Sequence, residues 1–340
     1  MPFLCLKGLS VAELEEYLKS IGEPRYRARQ IFTWMYGRNV DTFEAMTNLS
    51  KDLRLRLTEG VSLSALELLT SQKSAKDQSE KFVFKLQDGL AIESVLMFED
   101  NRATICVSTQ VGCAIDCKFC ATGMMGLKRN LSDGEIIDQF LTVQRLKGRK
   151  ITNVVMMGMG EPFHNYDNLM KACALLTDGD GPNLANKHIV VSTSGLIPRI
   201  YQFADEKRKY RLAISLNATT DEVRTRLMPL NKRWPIRELL KAAKYYTEKL
   251  GEPVTFEYVL LQGVNDTLAD ADRLKKMLDR ILCKVNLIPY NPTVAAYQRT
   301  SEKRILAFYE RLSDMRAPVM IRWSKGDDID AGCGQLATNV

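Results

Sequence analysis

Short apolar runs alternate regularly with amphipathic stretches from residue 103 onward in this 340-residue chain. The strand-like runs lie at 103–108, 151–157, 188–193, 211–216, 254–261, 284–288 and 319–323. The helix-like stretches lie at 133–147, 165–177, 196–205, 235–250, 267–281 and 302–314. This alternation is typical of a parallel sheet covered by helices. About six strand–helix units are too few for a closed eight-fold barrel. We therefore predict an α/β fold built on a partial (β/α)6 TIM-like barrel, with its site at the carboxyl ends of the strands.

The beginning of the chain follows a helical pattern instead. Ser10 and Glu13 form a capping box at the start of an apolar-periodic helix, which ends at Gly22. A second helix is predicted over 25–36 and a third from about Ser50. These elements predict a small N-terminal helical domain.

Two further patterns separate this helical part from the barrel. The polar segment 71–80 is predicted to be a linker or an exposed loop. Residues 81–86 and 90–97 have strand-like patterns and are joined around Asp88-Gly89, which predicts a hairpin. The predicted domains are 1–80 and 81–340.

Charge and cysteine content limit the partners and the cellular compartment. No run of about 18 apolar residues could span a membrane, and the first apolar stretch is shorter than a signal peptide requires. The eight cysteines are unevenly placed, which favours metal binding or chemistry in a reducing compartment over a disulfide scaffold. We expect a cytoplasmic protein with no membrane partner. The net charge of +7 suits nucleic acid, although an ordinary basic enzyme has the same balance.

Three cysteines follow the first core strand in a CxxxCxxC arrangement: Cys113, Cys117 and Cys120. Three thiolates can ligate three irons of a 4Fe–4S cube and leave the fourth iron without a protein ligand. That iron could chelate the amino and carboxylate groups of S-adenosylmethionine (SAM). An electron from the cluster could then break the sulfonium bond and release a 5′-deoxyadenosyl radical.

A structural zinc site is the alternative for the same cysteines. Zinc takes four ligands in a closed tetrahedron, usually from CxxC pairs. Cys106 could be the fourth ligand in principle, but it lies in a predicted strand, and the CxxxCxxC spacing differs from that of zinc pairs.

The cysteine motif, with an aromatic residue before its last cysteine, resembles that of the radical SAM superfamily. Four segments of the chain, of which one contains the cysteine motif and one lies near the N-terminus, are similar to the RlmN/Cfr family of RNA adenine methyltransferases. These segments are 113–131, 157–162, 326–336 and 22–30. The resemblance spans nearly the whole chain and implies a radical SAM enzyme that methylates RNA.

The resemblance implies SAM contacts at or just beyond the predicted strand ends. The residues are Gly160, Glu161, Ser192, Ser215, Leu216, Asn217 and Asn291. A glycine lets the backbone approach a ligand, and Glu161 can accept hydrogen bonds from an ammonium group. Taken alone, Ser192 and Ser215 could equally satisfy backbone groups at strand ends. Many relatives carry histidine in place of Asn217, whose amide can hydrogen-bond but cannot titrate.

The resemblance also implies a carrier mechanism, because carbon 2 of adenine is electron-poor and cannot attack a sulfonium directly. Cys333, between Gly332 and Gly334, would take a methyl group from a first SAM. A second SAM would be cleaved at the cluster, and the radical would take hydrogen from that methyl group, which then adds to adenine. Glu93 matches the family's proton acceptor. Cys106 would attack the Cys333 sulfur, forming a disulfide and freeing the base.

The resemblance implies 23S rRNA and tRNA as substrates, and an electron donor such as flavodoxin or ferredoxin. Candidate phosphate contacts are Arg25, Arg27, Arg29, Lys118, Lys128, Arg129, Arg224, Arg226, Lys232 and Arg233. An N-terminal domain that grips folded RNA is our hypothesis for 1–80. Cfr-type methylation of adenine carbon 8 is one alternative, although 22–30 and 326–330 favour the RlmN branch. A non-catalytic, metal-stabilised RNA-binding protein is the other.

Overall fold

The computed structural model describes residues 4–338. Its strands are β1 (Leu4–Cys5), β2 (Val61–Ser62), β3 (Leu66–Lys73), β4 (Glu80–Leu86), β5 (Ala91–Glu99), β6 (Arg102–Cys106), β7 (Gln110–Val111), β8 (Arg129–Asn130), β9 (Asn153–Met156), β10 (Ile189–Thr193), β11 (Arg211–Ser215), β12 (Val254–Leu260), β13 (Cys283–Pro289) and β14 (Val319–Ile321). Its helices are α1 (Val11–Ser20), α2 (Arg27–Phe32), α3 (Lys51–Gly60), α4 (Ala121–Met124), α5 (Asp133–Lys147), α6 (Tyr166–Thr177), α7 (Ile197–Asp205), α8 (Asp221–Leu227), α9 (Ile236–Leu250), α10 (Leu268–Leu278) and α11 (Glu302–Arg311). Within the described range, no helix combines the length and apolar character needed to cross a bilayer.

A ten-stranded sheet with the order β14-β13-β12-β11-β10-β9-β6-β5-β4-β3 forms the centre of the molecule. In this sheet, β6, β9, β10, β11, β12, β13 and β14 follow one another, and each pairs in parallel with the next. From β3 to β6 neighbouring strands pair antiparallel. The predicted open α/β barrel is confirmed, and each predicted core strand corresponds to one parallel strand.

The parallel strands read as apolar runs because helices cover one of their faces and the barrel interior the other. Leu212, Ala213 and Ile214 of β11 are all buried, for example. The helix predicted over 133–147 coincides with α5, whose capping box is formed: the Ser132 N–H donates to Glu135 Oε2 at 2.8 Å.

The predicted hairpin is formed by β4 and β5, which pair from Glu80↔Leu96 to Lys85↔Ala91. The predicted linker at 71–80 is partly wrong, because β3 extends to Lys73 and pairs with β4 along its length. Beyond Leu66 the side chains of β3 are exposed, so its sequence carries no apolar periodicity. Backbone pairing with β4 holds this edge strand, and only 74–79 forms the turn between them. The division at residue 80 stays a prediction.

The buried residues of the N-terminal helices belong to the same hydrophobic core as those of the barrel. Ser10 caps α1 as predicted, with its N–H donating to Glu13 Oε2 at 2.8 Å. The second predicted helix is α2, which continues as a π-helical turn over Thr33–Gly37.

A buried ion pair connects the first residues to the barrel. Lys7 Nζ donates to Asp138 on α5, and both side chains are fully buried. The other oxygen of Asp138 accepts from Ser64 Oγ at 3.0 Å and from the Ala65 N–H at 2.8 Å. Breaking one half of such a pair leaves an uncompensated charge in a medium that solvates it poorly.

Lys7→Met is therefore expected to lower the free energy of unfolding by about 3–5 kcal/mol. The double variant Lys7→Met/Asp138→Asn removes both charges and keeps an acceptor for the Ala65 N–H, so it should recover most of that loss. Urea denaturation of the two variants and the parent measures the difference. A double variant as unstable as the single one would contradict this account.

Candidate active site

The carboxyl ends of the parallel strands open onto a cavity of about 150 Å³. Its wall combines residues from the cysteine loop, from the strand ends and from the C-terminal segment. Among them are Cys113, Cys117, Cys120, Gly158, Gly160, Glu161, Ser192, Ser215, Asn217, Glu257, Arg322 and Cys333. A second cavity of about 170 Å³ adjoins it and shares Cys120, Met157, Gly158, Arg322 and Cys333.

The three predicted ligand cysteines lie on the loop between β7 and α4, and all three face the first cavity. Gly112 begins this loop with a φ of +72°, and a Cβ there would lie 1.8 Å from the Gly126 carbonyl oxygen. Burial raises the pKa of the Cys113 thiol to about 12. Free thiols here stay protonated, and a bound cation must displace their protons.

The donor set fits an iron–sulfur cube better than a single ion. Across residues 4–338, no group of three or more His, Cys, Asp or Glu side chains is arranged to hold one metal ion. In a cube each thiolate ligates its own iron, so the sulfurs need not converge on one point. Cys106, the fourth ligand that zinc would need, lines the second cavity and not the first.

The segment after β9 passes close to the end of β7. Gly160 has a φ of +105°, and a Cβ there would lie 2.6 Å from that of Gln110, so only glycine fits. The buried Glu161 carboxylate accepts from the Phe163 N–H at 3.1 Å and from the Ser194 N–H at 2.7 Å. Burial raises the pKa of Glu161. Its carboxylate thus joins the ends of β9 and β10 at the cavity wall.

The other predicted SAM contacts divide into two groups. Ser192, Ser215 and Asn217 line the first cavity. The Leu216 side chain is buried outside its lining, and the Leu216 carbonyl accepts from Arg224 Nε at 3.1 Å. Asn217 has a φ of +56°, and its Oδ1 accepts from the Val259 N–H at 2.9 Å, so its amide is already partly engaged.

Two buried acceptors at the site have no donor among the described residues. They are Oδ1 of Asn291 and Oε2 of Glu257. Asn291 follows β13, and its Nδ2 donates to the Cys333 carbonyl at 3.1 Å. Glu257 lies on β12 and lines the first cavity. Buried acceptors are normally hydrogen-bonded, so these fit a ligand that brings ammonium and hydroxyl donors, as SAM does.

Cys333 lies in the wall between the two cavities and lines both, whereas Cys106, at the end of β6, lines the second. Burial raises the pKa of the Cys106 thiol to about 12. A Cβ on Gly332 would lie 2.6 Å from Asn291 Nδ2, so this glycine allows close packing and not only flexibility. The Gly334 carbonyl accepts from the Ala121 N–H at 2.8 Å, which fixes the Cys333 loop to the cysteine loop.

An acidic segment, 326–330, docks the C-terminal residues onto the turn between β3 and β4. Ser74 Oγ donates to Asp328 Oδ1 at 2.7 Å. The Gly326 N–H donates to Asp77 Oδ2 at 2.8 Å. The turn that follows β3, part of the predicted linker, therefore helps to position Cys333.

Glu93 on β5 is buried, with 4% of its surface exposed, and lines neither cavity. Its Oε2 accepts from the Ala337 N–H at 3.1 Å, and Lys81 Nζ lies 3.7 Å from its Oε1. Burial raises the pKa of Glu93, and the Lys81 charge opposes that shift. The carboxylate thus lies against the segment that carries Cys333.

The prediction that Arg224 contacts RNA phosphates is wrong. Arg224 is fully buried and cannot contact RNA from this position. Its guanidinium donates to the carbonyls of Ser194 at 2.7 Å, Ser215 at 3.1 Å and Leu216 at 3.1 Å, so it holds two strand-end loops together. Arg129, another candidate, is paired with Asp88 and Glu135.

Glu257 and Arg322 are cavity residues that the sequence analysis missed. Each is a charged residue within or directly after an apolar strand run. A buried charge in such a run is the signal that could have identified them.

Comparisons with known proteins bear on the whole chain. A family model described as "Radical SAM superfamily" matches residues 107–274. Another, described as "Ribosomal RNA large subunit methyltransferase N-terminal domain", matches residues 5–63. The crystal structure of a radical SAM methyltransferase from Sphaerobacter thermophilus superimposes with a TM-score of 0.95 at 47% identity, covering 98% of this chain and 99% of that one.

Curated relatives give the same result. The probable dual-specificity RNA methyltransferase RlmN of Geobacillus thermodenitrificans is 46% identical over 99% of this chain and 93% of its own length. That of Halalkalibacterium halodurans is 46% identical over 96% of this chain and 91% of its own length. The open barrel, the cysteine loop and these matches define a radical SAM enzyme, which uses a 4Fe–4S cluster and SAM. The chain belongs to the RlmN family of RNA methyltransferases.

Proposed function

We propose that this enzyme methylates carbon 2 of adenine in 23S rRNA and in tRNA, through a methylated Cys333 and a covalent RNA–protein intermediate. The observation that carries the proposal is the position of Cys333, which lines both cavities, with Cys106 in the wall of the second. A carrier sulfur must reach a methyl source on one side and the target base on the other. The relatives' description as dual-specificity RNA methyltransferases supports two kinds of RNA substrate.

Cys113, Cys117 and Cys120 would hold the cluster, and the first cavity would hold SAM. Gly160, Glu161, Ser192, Ser215 and Asn217 line that cavity, whereas Asn291, whose Oδ1 has no donor among the described residues, contacts the Cys333 carbonyl. Glu161 also joins two strand ends, and Leu216, predicted as a SAM contact, offers its carbonyl to Arg224 and contributes by holding a strand-end loop in place. When bound, the cluster and SAM supply a 5′-deoxyadenosyl radical, with the electron coming from a donor of the flavodoxin or ferredoxin type. We propose two SAM molecules per turnover, one for the methyl group and one for the radical.

The protein's own residues carry the remaining steps. The Cys333 thiolate accepts the methyl group, since a thiolate is a good nucleophile toward a sulfonium. Addition of the carbon radical to adenine leaves a radical adduct, so restoring the aromatic ring requires the loss of one proton and one electron. Glu93 takes the ring proton, and the electron would be returned to the bound cluster. Cys106 then attacks the Cys333 sulfur: an S–S bond forms, the S–C bond breaks, and the electron pair stays on the carbon, which takes a proton. Two thiols are oxidised and the transferred carbon is reduced to a methyl group, so a dithiol reductant must reset the enzyme.

The pH dependence tests Glu93 as the base. It must be ionised to act, and burial raises its pKa, so activity should fall on acidification at a higher pH than for an ordinary carboxyl group. Lys81→Met removes the cation that opposes this shift and should move the acidic limb to still higher pH. Lys85→Met, on the exposed side of β4, is the matched control. An unmoved limb in Lys81→Met under single-turnover conditions would exclude Glu93 as the titrating base.

The N-terminal unit is proposed to bind RNA through exposed arginines. Arg25 and Arg29 are 60% and 73% exposed, although each lies near a carboxylate. Deleting 1–80 is a poor test, because it removes β3 from the sheet and Lys7 from Asp138. Arg25→Ala/Arg29→Ala should instead reduce the salt dependence of RNA affinity, with a log–log slope smaller by about 1 for each lost phosphate contact. Lys303→Ala/Arg304→Ala on α11 is the control, and equal slopes would reject the hypothesis.

Mapping of the product tests the proposed function. The cluster-loaded enzyme is incubated anaerobically with SAM, reductant and unmodified rRNA or tRNA, and the RNA is digested for mass spectrometry. We expect 2-methyladenosine together with 5′-deoxyadenosine. Methylation at carbon 8 would assign the enzyme to the Cfr type. A colourless protein that binds RNA and releases no deoxyadenosine would overturn the proposal.

A further inference from the structure

Arg322 brings a positive charge to the boundary between the two cavities. It directly follows β14, where its N–H donates to the Leu287 carbonyl at 2.8 Å, and its side chain lines both cavities. Within residues 4–338, the one polar partner of its guanidinium is the sulfur of Met157, at 3.6 Å from Nη1. Thioether sulfur is a weak acceptor, and a guanidinium has five N–H donors. Most of its hydrogen-bonding capacity therefore faces the cavities.

Four acidic groups line the same cavities as this guanidinium. Cys333 lines both cavities, Glu257 on β12 lines the first, and Cys106 on β6 and Glu99 on β5 line the second. Their charges, that of Cys333 most, raise the pKa of Arg322 against the opposing effect of burial. Within the described range, neither Glu257 nor Glu99 forms an ion pair with Arg322. Lys325 is the other cation in the wall of the second cavity. Arg322 is thus placed to respond to charge on the two cysteines.

Cys106 needs such a cation. Its thiol is buried, its pKa is raised to about 12 by burial and by the neighbouring Cys333, and Arg322 is the cation that opposes this rise. Only the thiolate is nucleophilic, so in its resting state Cys106 is almost entirely in an unreactive form at neutral pH.

We propose that Arg322 is a positioning residue that stabilises the Cys106 thiolate for its attack on the Cys333 sulfur. This inference rests on the proposed function, in which that attack forms the S–S bond, breaks the S–C bond and leaves the electron pair on the departing carbon. While Cys333 is a free thiolate, the two sulfurs compete for the guanidinium. Once the Cys333 sulfur carries the carbon it is a neutral thioether, and Cys106 becomes the sulfur anion that the guanidinium favours.

Alkylation of Cys106 tests the proposal without turnover. Cluster-loaded, full-length enzyme is treated with iodoacetamide between pH 7 and 9, and modification of Cys106 is followed by peptide mass spectrometry. At each pH, Cys106 in the Arg322→Met variant should react at about one tenth of the parent's rate or below, as expected if the pKa of its thiol is at least one unit higher. Arg322→Lys should retain much of the rate. Arg304→Met, which removes an exposed arginine on α11, should not change it.

Turnover separates this inference from the proposed function. Under anaerobic assay, Arg322→Met should accumulate RNA-linked protein, as expected for Cys106→Ala, while still producing 5′-deoxyadenosine. Unchanged Cys106 alkylation in Arg322→Met overturns the role of Arg322, even if the variant binds SAM poorly. If Cys106→Ala forms no RNA-linked adduct, the covalent mechanism is overturned. The alkylation result still tests whether Arg322 stabilises the Cys106 thiolate. If Arg322→Met does not fold, Arg322→Gln, which is uncharged but polar, must show the same loss.

Discussion

Cys333→Ala is expected to make no methyladenine in either RNA. The side chain is the carrier in the proposed mechanism, and within residues 4–338 the one other cysteine that lines both cavities is Cys120, which is assigned to the cluster. Removing a covalent nucleophile commonly lowers turnover on the order of 10⁴-fold or more, which here places methylation at background. The cysteine loop is untouched, so the cluster should assemble with its normal visible absorbance.

The matched control is Cys283→Ala. Cys283 is buried at the amino end of β13, opposite the edge where the site lies, so its loss should affect stability and not the reaction. Methylation is measured by mass spectrometry of digested RNA under anaerobic conditions. Normal turnover by Cys333→Ala would rule out the carrier thiol, whatever the other variants show.

Cys106→Ala is expected to stop after carbon–carbon bond formation, with the protein still attached to RNA. Without the second thiol nothing attacks the Cys333 sulfur, so the S–C bond persists. The adduct should approach one RNA per active enzyme, and free methylated RNA should fall to background. A denaturing gel detects the adduct directly, and nuclease digestion followed by peptide mapping should locate it on Cys333.

Cys173→Ala serves as the control for this variant, since Cys173 is a buried cysteine on α6 that lines neither cavity. Combining Cys106→Ala with Cys333→Ala should abolish the adduct. An adduct that survives in the double variant, or multiple turnovers by Cys106→Ala alone, would contradict the assigned order of steps.

Local patterns predicted most of the fold. The parallel strands have apolar runs because both faces are covered, and the capping box at Ser10 marks a helix start that the structure confirms. β3 escaped prediction because an exposed edge strand is held by backbone pairing, which leaves no periodic signal in the side chains. The cysteine loop was recognisable because its three thiols are close together in sequence.

The parts of the site that depend on distant contacts could not be predicted from the residues alone. The sequence predicts Arg224 as an RNA contact because its position in the chain does not reveal the carbonyls to which it donates in the interior. Arg322 and Glu257 were hidden in apolar strand runs. The role of the acidic segment 326–330 became clear only from its contacts with Ser74 and Asp77, which are about 250 positions earlier in the chain.

The docking of that segment has a consequence for biosynthesis. A ribosome releases the cysteine loop long before the residues that bear the carrier sulfur, and the Glu93 carboxylate gains its Ala337 partner only afterwards, from 244 positions away. All three cysteines assigned to the cluster are therefore present in the nascent polypeptide before the carrier sulfur and the contacts that position it.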